Sequence, residues 1–506
     1  MRRVIRGIMF YRLIAALILG ALLPLAFAPW QWSILAILIP FGLIFLWQYS
    51  RSIFEATAIG FIFGVAFFAT GVYWIYYSIY TYGHSPLWIA YLIMMSLCVV
   101  LALFPAVLGF LLRNITVPAW LRWLFVYPSL WVLAEGIRAI IGSGFPWLSL
   151  GYSQTNTPLA GLAPFVGVYG LSWLCVFMSG LLFMACQNKR WLLRIIPLVV
   201  IALIYGLGYG SQQIQWGKAK PPALSVALVQ GNVTQDLKWD PLRLSRNIEH
   251  YLNLTESHLG TDFIIWPEAA IPTDIDYIQP TLEHMDAVLK NHNSNLLTGI
   301  GDSGENNQYY NALILLGQNQ GIYRKRHLVP FGEYLPMQRW LSALLEYWQL
   351  PNASLSAGPK KQTPLMVNGV NVAPFICYEI IFPGLVRQSL PAAELLVTIS
   401  DDAWFGDSPA LSQHLQMAQM RSIEMARPQL FVSNSGITAI VDHKGEIQKR
   451  LPIDDAIVLT GSIMPHQGIT PFIYYGSWPV WVVSVLCLLL AIIVSKRRNP
   501  KKIQSL

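Results

Sequence analysis

Long apolar runs with almost no charge are the feature that most constrains how this chain folds. Seven lie within the first 210 residues and an eighth lies near residue 480. Most approach the roughly 20 apolar residues that a helix needs to cross a bilayer. Only 12% of all residues are charged, whereas soluble domains carry about 25%. The runs therefore predict a helical membrane protein with several spans.

The spans are predicted at residues 8–28, 33–49, 57–80, 86–112, 118–140, 160–186, 191–210 and 474–495. The second is short, and the fifth contains Glu135 and Arg138, which lie on one helix face. Inside a membrane, two such groups pair with each other or face a cavity. A helix end at the membrane interface fits the same two residues equally well.

Basic residues mark alternate loops between these spans: Arg2, Arg3, Arg6, Arg51, Arg113, Arg122, Lys189, Arg190, Arg194 and the tail from Lys496 onward. The intervening short loops, such as 28–32 and 82–86, have no Lys or Arg. Because positively charged loops stay on the cytoplasmic side, both termini are predicted to be cytoplasmic. The long segment between spans seven and eight is then predicted to lie outside the cytoplasm.

The charge of the chain divides along the same boundary. Residues 212–470 hold 18 Lys and Arg against 24 Asp and Glu, a net charge of −6, while the rest sums to +14. A basic pI ordinarily suggests nucleic acid as a partner. Here the positive excess flanks apolar spans, so the membrane is the expected partner and nucleic acid is not.

Residues 212–470 read as an α/β domain, because short β-branched runs alternate with polar helical stretches. We predict a membrane domain at 1–211, this domain at 212–470, and an eighth helix with a basic tail at 471–506. Strands are predicted at 223–229, 263–266, 296–300, 311–316, 370–377, 395–400, 430–434 and 438–441, and helices at 243–258, 281–292 and 413–426.

Three reactive groups belong to this domain, and each lies at or just past the end of an apolar strand. Glu268 suits a general base, Lys325 suits a cation that stabilises an oxyanion or a thiolate, and Cys377 suits a nucleophile. Each also has a plain interpretation. Glu268 would then be a solvated loop residue, Lys325 part of a basic surface run against anionic lipid, and Cys377 an inert strand residue.

Cys377 carries the strongest argument, because it is the one cysteine of five that lies in the polar half. An unpaired thiol outside the cytoplasm is either paired with another molecule or reactive. His327 and His414 keep a Cys–His hydrolase open as an alternative, although glutamate also serves as a base. We see no Cys-x-x-Cys pair or zinc-ligand spacing, so no metal or cofactor is expected.

Taken together, the motifs Trp266-Pro267-Glu268, Tyr323-Arg324-Lys325 and Cys377-Tyr378-Glu379 resemble the nitrilase superfamily. The resemblance implies an αββα sandwich with Glu268 as base, Lys325 as stabiliser and Cys377 as nucleophile. It also implies supporting roles for Glu333, Tyr378 and Glu379.

Together with the spans, further motifs make the whole chain resemble the apolipoprotein N-acyltransferases of the bacterial inner membrane. They are 144–147 (Gly-Phe-Pro-Trp), 230–232 (Gln-Gly-Asn), 238–240 (Lys-Trp-Asp), 402–406 (Asp-Ala-Trp-Phe-Gly) and 426–428 (Ala-Arg-Pro). This resemblance implies a monomer that moves an acyl chain from a phospholipid, such as phosphatidylethanolamine, through a thioester. The implied acceptor is the N-terminal amine of S-diacylglyceryl-cysteine on an apolipoprotein.

The route for lipid into such a site is expected to be aromatic. Trp239, Trp404, Phe405 and Tyr378 are candidates, although ordinary core packing accounts for each of them as well. Two other functions remain open. One is a membrane-anchored amidase or nitrilase with a soluble substrate, and the other is a transporter or channel with an extracytoplasmic domain.

Overall fold

The computed structural model describes residues 2–304, 308–335 and 355–498. The chain forms two compact units. The first, here the membrane unit, contains the residues up to 81, residues 85–214 and the chain from 475 onward. The second, here the catalytic unit, contains residues 82–84 and 215–474.

The long helices of the membrane unit are α1 (Arg2–Leu22), α2 (Leu35–Gln48), α3 (Ile53–Gly71), α4 (Leu87–Asn114), α5 (Tyr127–Arg138), α6 (Ala163–Gln187), α7 (Trp191–Ser211) and, at the end of the chain, Trp478–Arg498. Among the described residues, six helical segments are long and apolar enough to cross a membrane. The predicted multi-pass membrane domain is thereby confirmed.

The two weaker spans differ from the other six in ways that the sequence indicated. Helix α2 is apolar but has only 14 residues. Around α5, the helical run begins at Ala119, passes through a π-helical turn at Arg122–Val126 and ends at Arg138. Three charged residues make this run less apolar than its neighbours, so the count of eight spans is approximate.

Helices α3 and α4 pack closely because both have a glycine, which has no side chain, where they touch. A Cβ atom at Gly60 would collide with the carbonyl oxygen of Pro105, and one at Gly109 would collide with that of Ala56. Small residues of this kind let membrane helices approach backbone to backbone.

The catalytic unit contains fifteen described strands: β1 (Gly217–Ala219), β2 (Leu224–Gln230), β3 (Phe263–Ile265), β4 (Ile271–Asp274), β5 (Asn295–Ser303), β6 (Tyr309–Gly317), β7 (Gly321–Arg324), β8 (Leu365–Val367), β9 (Val370–Ile376), β10 (Leu395–Ser400), β11 (Gln429–Ser433), β12 (Ala439–Val441), β13 (Ile447–Arg450), β14 (Ile457–Ile463) and β15 (His466–Gly468). Its longer helices are α8 (Leu244–Glu256), α9 (Gln279–Asn291) and α10 (Pro409–Met425).

Two sheets form the centre of this unit. One has the order β14-β2-β3-β5-β6-β7, with β4 beside β5, and the other has the order β13-β12-β11-β10-β9-β8. A buried apolar core joins the two sheets through residues such as Leu228, Val372 and Val397. Ile248 of α8 and Leu282 of α9 belong to a second core on the outer face of the first sheet. The predicted αββα sandwich is confirmed.

The strand directions place the functional loops at one edge of each sheet. Strands β2, β3 and β5 are mutually parallel, as are β9, β10 and β11. Strand β7 runs in the direction of β5, because both are antiparallel to β6. Residues that follow β3, β7, β9 and β10 therefore leave their sheets at carboxyl ends, where α/β sheets build their sites.

Candidate active site

Glu268 follows β3 and has a side chain that is only 11% exposed. Its Oε1 atom accepts a hydrogen bond from the side-chain amide of Asn311 at 2.7 Å. Its Oε2 atom accepts one from the backbone N–H of Asp401 at 3.1 Å. The carboxylate is therefore held from both sheets and is not a solvated loop group.

Lys325 follows β7 and is buried, with 1% of its surface exposed. Its Nζ atom lies 2.8 Å from Oε1 of Glu333 and 3.3 Å from Oε1 of Glu268. The amide of Asn311 also donates to Glu333 at 3.0 Å. The predicted basic surface run therefore turns its lysine inward, between two carboxylates.

Cys377 directly follows β9 and starts a short 3-10 helix, Cys377–Ile381. Its φ angle is +50°, a left-handed conformation that is uncommon outside glycine and often marks functional sites. The residue is partly exposed and forms no disulfide.

The pKa values of the three groups reflect their proximity. Burial raises the pKa of the Cys377 thiol well above its usual range; the charge of Glu268 raises it further, and Lys325 acts against both. Burial also raises the pKa of Glu268, while Lys325 opposes that shift. Burial disfavours the charge on Lys325, but Glu268, Glu333 and Cys377 outweigh it and raise the pKa of Lys325.

Glu379 is fully buried and ties the cysteine loop to the lysine loop. Its Oε1 atom accepts the backbone N–H groups of Arg326 at 2.7 Å and His327 at 3.2 Å. Its Oε2 atom accepts the N–H of Ile376 at 2.9 Å and the hydroxyl of Tyr323 at 2.8 Å. This one carboxylate fixes the residues that flank Lys325 and Cys377.

A buried ion pair behind Glu268 was missed from the sequence. Lys238 and Asp401 are nearly fully buried and pair with each other. The Lys238 Nζ also donates to the carbonyl oxygen of Glu268 at 3.3 Å. Gln235 and Asn434 donate to the Asp401 carboxylate. Asp401 follows β10, so its position at a strand end was the available signal.

The two histidines contact backbone, carboxylate and aromatic groups of the catalytic unit. The Nε2 atom of His414 faces the carbonyl oxygen of Cys377 at 3.2 Å, and its Nδ1 atom faces Asp402 at 3.0 Å. His327 packs its ring against Phe382 at 3.9 Å.

The predicted aromatic residues differ in their exposure. Trp239 is 56% exposed and Trp404 is 41% exposed. Phe405 packs edge-on against His414 at 6.2 Å. Tyr378 is buried and packs against Phe382 at 5.2 Å. Trp239 and Trp404 are therefore accessible, whereas Tyr378 is packed in the core. Phe405 is partly buried and lies between these two cases.

A cysteine, a lysine and a glutamate at the strand ends of an αββα sandwich define a carbon-nitrogen hydrolase-like enzyme domain joined to a multi-pass membrane unit. No group of three or more His, Cys, Asp or Glu side chains in the described ranges is arranged for a metal ion. The family model for carbon-nitrogen hydrolases matches residues 225–467, and the model for the apolipoprotein N-acyltransferase N-terminal domain matches residues 19–181.

Full-length relatives make the assignment more specific. An apolipoprotein N-acyltransferase of Coxiella burnetii is 40% identical over 480 residues, covering 94% of this chain and 99% of that protein. Those of Photobacterium profundum (37%, covering 97% and 96%) and Vibrio cholerae (39%, covering 93% and 95%) are similar. The chain belongs to the apolipoprotein N-acyltransferase family.

Proposed function

We propose that this protein transfers an acyl chain from a membrane phospholipid to the N-terminal amine of S-diacylglyceryl-cysteine on apolipoproteins. The 3.3 Å approach of Lys325 to Glu268, whose charges both act on the pKa of the Cys377 thiol, carries the proposal. Family membership supplies the acceptor class. Several membrane-spanning helices suit a donor that resides in the bilayer.

In the proposed mechanism, Glu268 takes the proton from Cys377, and the thiolate attacks the ester carbonyl. Lys325 and the backbone N–H of Tyr378 stabilise the oxyanion, and one such preorganised donor contributes about 3–4 kcal/mol. The lysophospholipid leaves with the proton from Glu268, and a Cys377 thioester remains. The lipoprotein amine then attacks, Glu268 takes its proton, and the thiol is restored.

The site is proposed to act outside the cytoplasm, with both termini inside, because Lys and Arg concentrate in alternate loops. Exclusion of water from the site protects the thioester from hydrolysis. We propose that Trp239 and Trp404 contact the incoming lipid, because both remain exposed in the catalytic unit. The working state is proposed to be a monomer in the bacterial inner membrane.

The test is an assay of purified protein with phosphatidylethanolamine and a diacylglyceryl-cysteine peptide. We expect lysophospholipid and triacylated peptide in equal amounts, and neither product from Cys377→Ala. Free fatty acid without peptide acylation would indicate a hydrolase and contradict the proposal. Amide hydrolysis of a soluble substrate at a higher rate would favour the anchored amidase instead.

A further inference from the structure

A chain of polar groups starts and ends on Cys377. Strand β10 runs parallel to β9 with Ile399 opposite Ile376, so Ser400 comes next to Cys377 in the register. The Ser400 hydroxyl acts on the thiol and lowers its pKa. The same hydroxyl donates to Oδ1 of Asp402 at 2.6 Å.

The chain continues from Asp402 back to the cysteine backbone. Oδ1 of Asp402 lies 3.0 Å from Nδ1 of His414, whose Nε2 lies 3.2 Å from the carbonyl oxygen of Cys377. Asp402 and His414 are both at most 1% exposed. The backbone N–H of Asp402 donates to the hydroxyl of Ser433 at 3.2 Å, which fixes the carboxylate at its strand end.

The protons on this chain follow from what each group accepts. A carbonyl oxygen only accepts, so Nε2 of His414 carries a hydrogen. The Nε2–H group of His414 thereby donates to the carbonyl oxygen of Cys377, while Nδ1 faces the Asp402 carboxylate.

We propose that Ser400, Asp402 and His414 are positioning residues that hold Cys377 by its side chain and by its backbone. The Ser400 hydroxyl donates to Asp402 while Cys377 is a thiol, and it turns its hydrogen to the sulfur once Glu268 has taken the thiol proton. His414 holds the carbonyl oxygen and so maintains the left-handed backbone of the cysteine. This inference rests on the proposed role of Cys377 as nucleophile.

The charged groups around the sulfur set the direction of the pH effect. Glu268 and Asp402 raise the pKa of the thiol, while Lys325 and the Ser400 hydroxyl lower it. Loss of the hydroxyl therefore raises the thiol pKa. At a pH below that value, the thiolate fraction falls in proportion.

The first test measures alkylation of Cys377 by iodoacetamide against pH, with mass spectrometry of the peptide that contains it. Hydrogen bonds to charged groups are strong enough that Ser400→Ala is expected to slow alkylation about tenfold near neutral pH. Ser400→Thr, which keeps a hydroxyl, is expected to restore it. Ser294→Ala removes a buried hydroxyl directly before β5, away from the carboxyl ends of the strands, and is the matched control.

The second test separates the two contacts of His414. A glutamine at this position keeps a donor near the place of Nε2, and an asparagine keeps one only near Nδ1. We expect His414→Gln to form the phospholipid-derived acyl-enzyme about tenfold faster than His414→Asn at matched folded fractions. The thermal unfolding midpoint of each variant supplies the correction for folding.

Equal alkylation profiles for Ser400→Ala and Ser294→Ala, together with equal acylation by the two His414 variants, would overturn the inference. The alkylation test needs no substrate. If the unaltered protein forms no acyl-enzyme with phospholipid, the proposed function fails, while the alkylation comparison still decides the role of Ser400.

Discussion

At the scale of single residues, Glu268 has two opposing effects on Cys377 in the proposed reaction. The carboxylate removes the thiol proton, yet its charge also raises the pKa of the thiol. A variant that removes only the charge therefore separates proton transfer from electrostatics.

We predict that Glu268→Gln speeds alkylation of Cys377 at a fixed pH and slows acyl-enzyme formation. The thiol pKa falls when the carboxylate charge is lost, so the thiolate fraction rises and the alkylation profile moves to lower pH. Loss of a general base costs roughly 10²–10⁴ in rate. Both rates come from mass spectrometry of the Cys377 peptide.

The exposed residue Glu283 supplies the control, since Glu283→Gln lies on the surface of α9 and should leave both rates unchanged. Slower alkylation in Glu268→Gln would show that the carboxylate favours the thiolate, contrary to the account.

The sequence led to Glu268, Lys325 and Cys377 because each lies at or just past the end of an apolar strand and belongs to a motif of the family. It did not lead to Asn311, Lys238 or Ser400. Asn311 lies inside β6, Lys238 in a four-residue helix and Ser400 at the last position of β10. Their roles arise from partners that are remote in sequence, which no local pattern reveals.

At the scale of elements, Glu379 joins the end of β7 to the end of β9. Four donors converge on its carboxylate. A glutamine side chain at this position would point its own NH2 group at some of these donors and could not accept from all four. We predict that Glu379→Gln lowers the free energy of unfolding of the catalytic unit by about 3 kcal/mol, the upper range for a hydrogen bond to a charged group. Denaturant unfolding followed by tryptophan fluorescence measures this. An unchanged midpoint would contradict the role of Glu379 as a tie.

The α3–α4 contact offers a matched pair of glycine variants. Gly60→Ala places a methyl group against the Pro105 backbone, whereas Gly206 of α7 has open space around it. We predict that Gly60→Ala lowers the thermal midpoint in detergent and that Gly206→Ala leaves it unchanged or raises it, because alanine favours helix. Equal thermal midpoints for Gly60→Ala and Gly206→Ala would contradict the close packing of α3 against α4 at Gly60.

The strand predictions succeeded where apolar runs are buried on both faces. Strand β10 matches its predicted range of 395–400, and β9 ends one residue early because Cys377 adopts a left-handed backbone. Strands β1, β4, β7, β8, β13, β14 and β15 were missed, and β13 and β14 show why. Every residue of β13 is exposed, and β14 is an edge strand with Thr460, Gly461 and Ser462 among its apolar residues.

At the scale of the whole molecule, the charge asymmetry predicts which side of the membrane each part occupies. In a Cys186→Ser, Cys377→Ala background, Lys444→Cys of the catalytic unit should react with a membrane-impermeant maleimide in cells with a permeabilised outer membrane. Arg190→Cys, in the loop before α7, should react only after the inner membrane is disrupted. Labelling of Arg190→Cys in intact cells, with Lys444→Cys labelled only after the inner membrane is disrupted, would contradict the proposed topology.

The proposed reaction requires an acyl chain carried on Cys377. The most direct measurement is intact-protein and peptide mass spectrometry after incubation with phosphatidylethanolamine of a single chain composition and no acceptor. We predict a mass increase of one acyl group on the Cys377 peptide, removed by hydroxylamine and by a diacylglyceryl-cysteine peptide. Acylation of another residue, or peptide acylation by Cys377→Ala, would contradict the account.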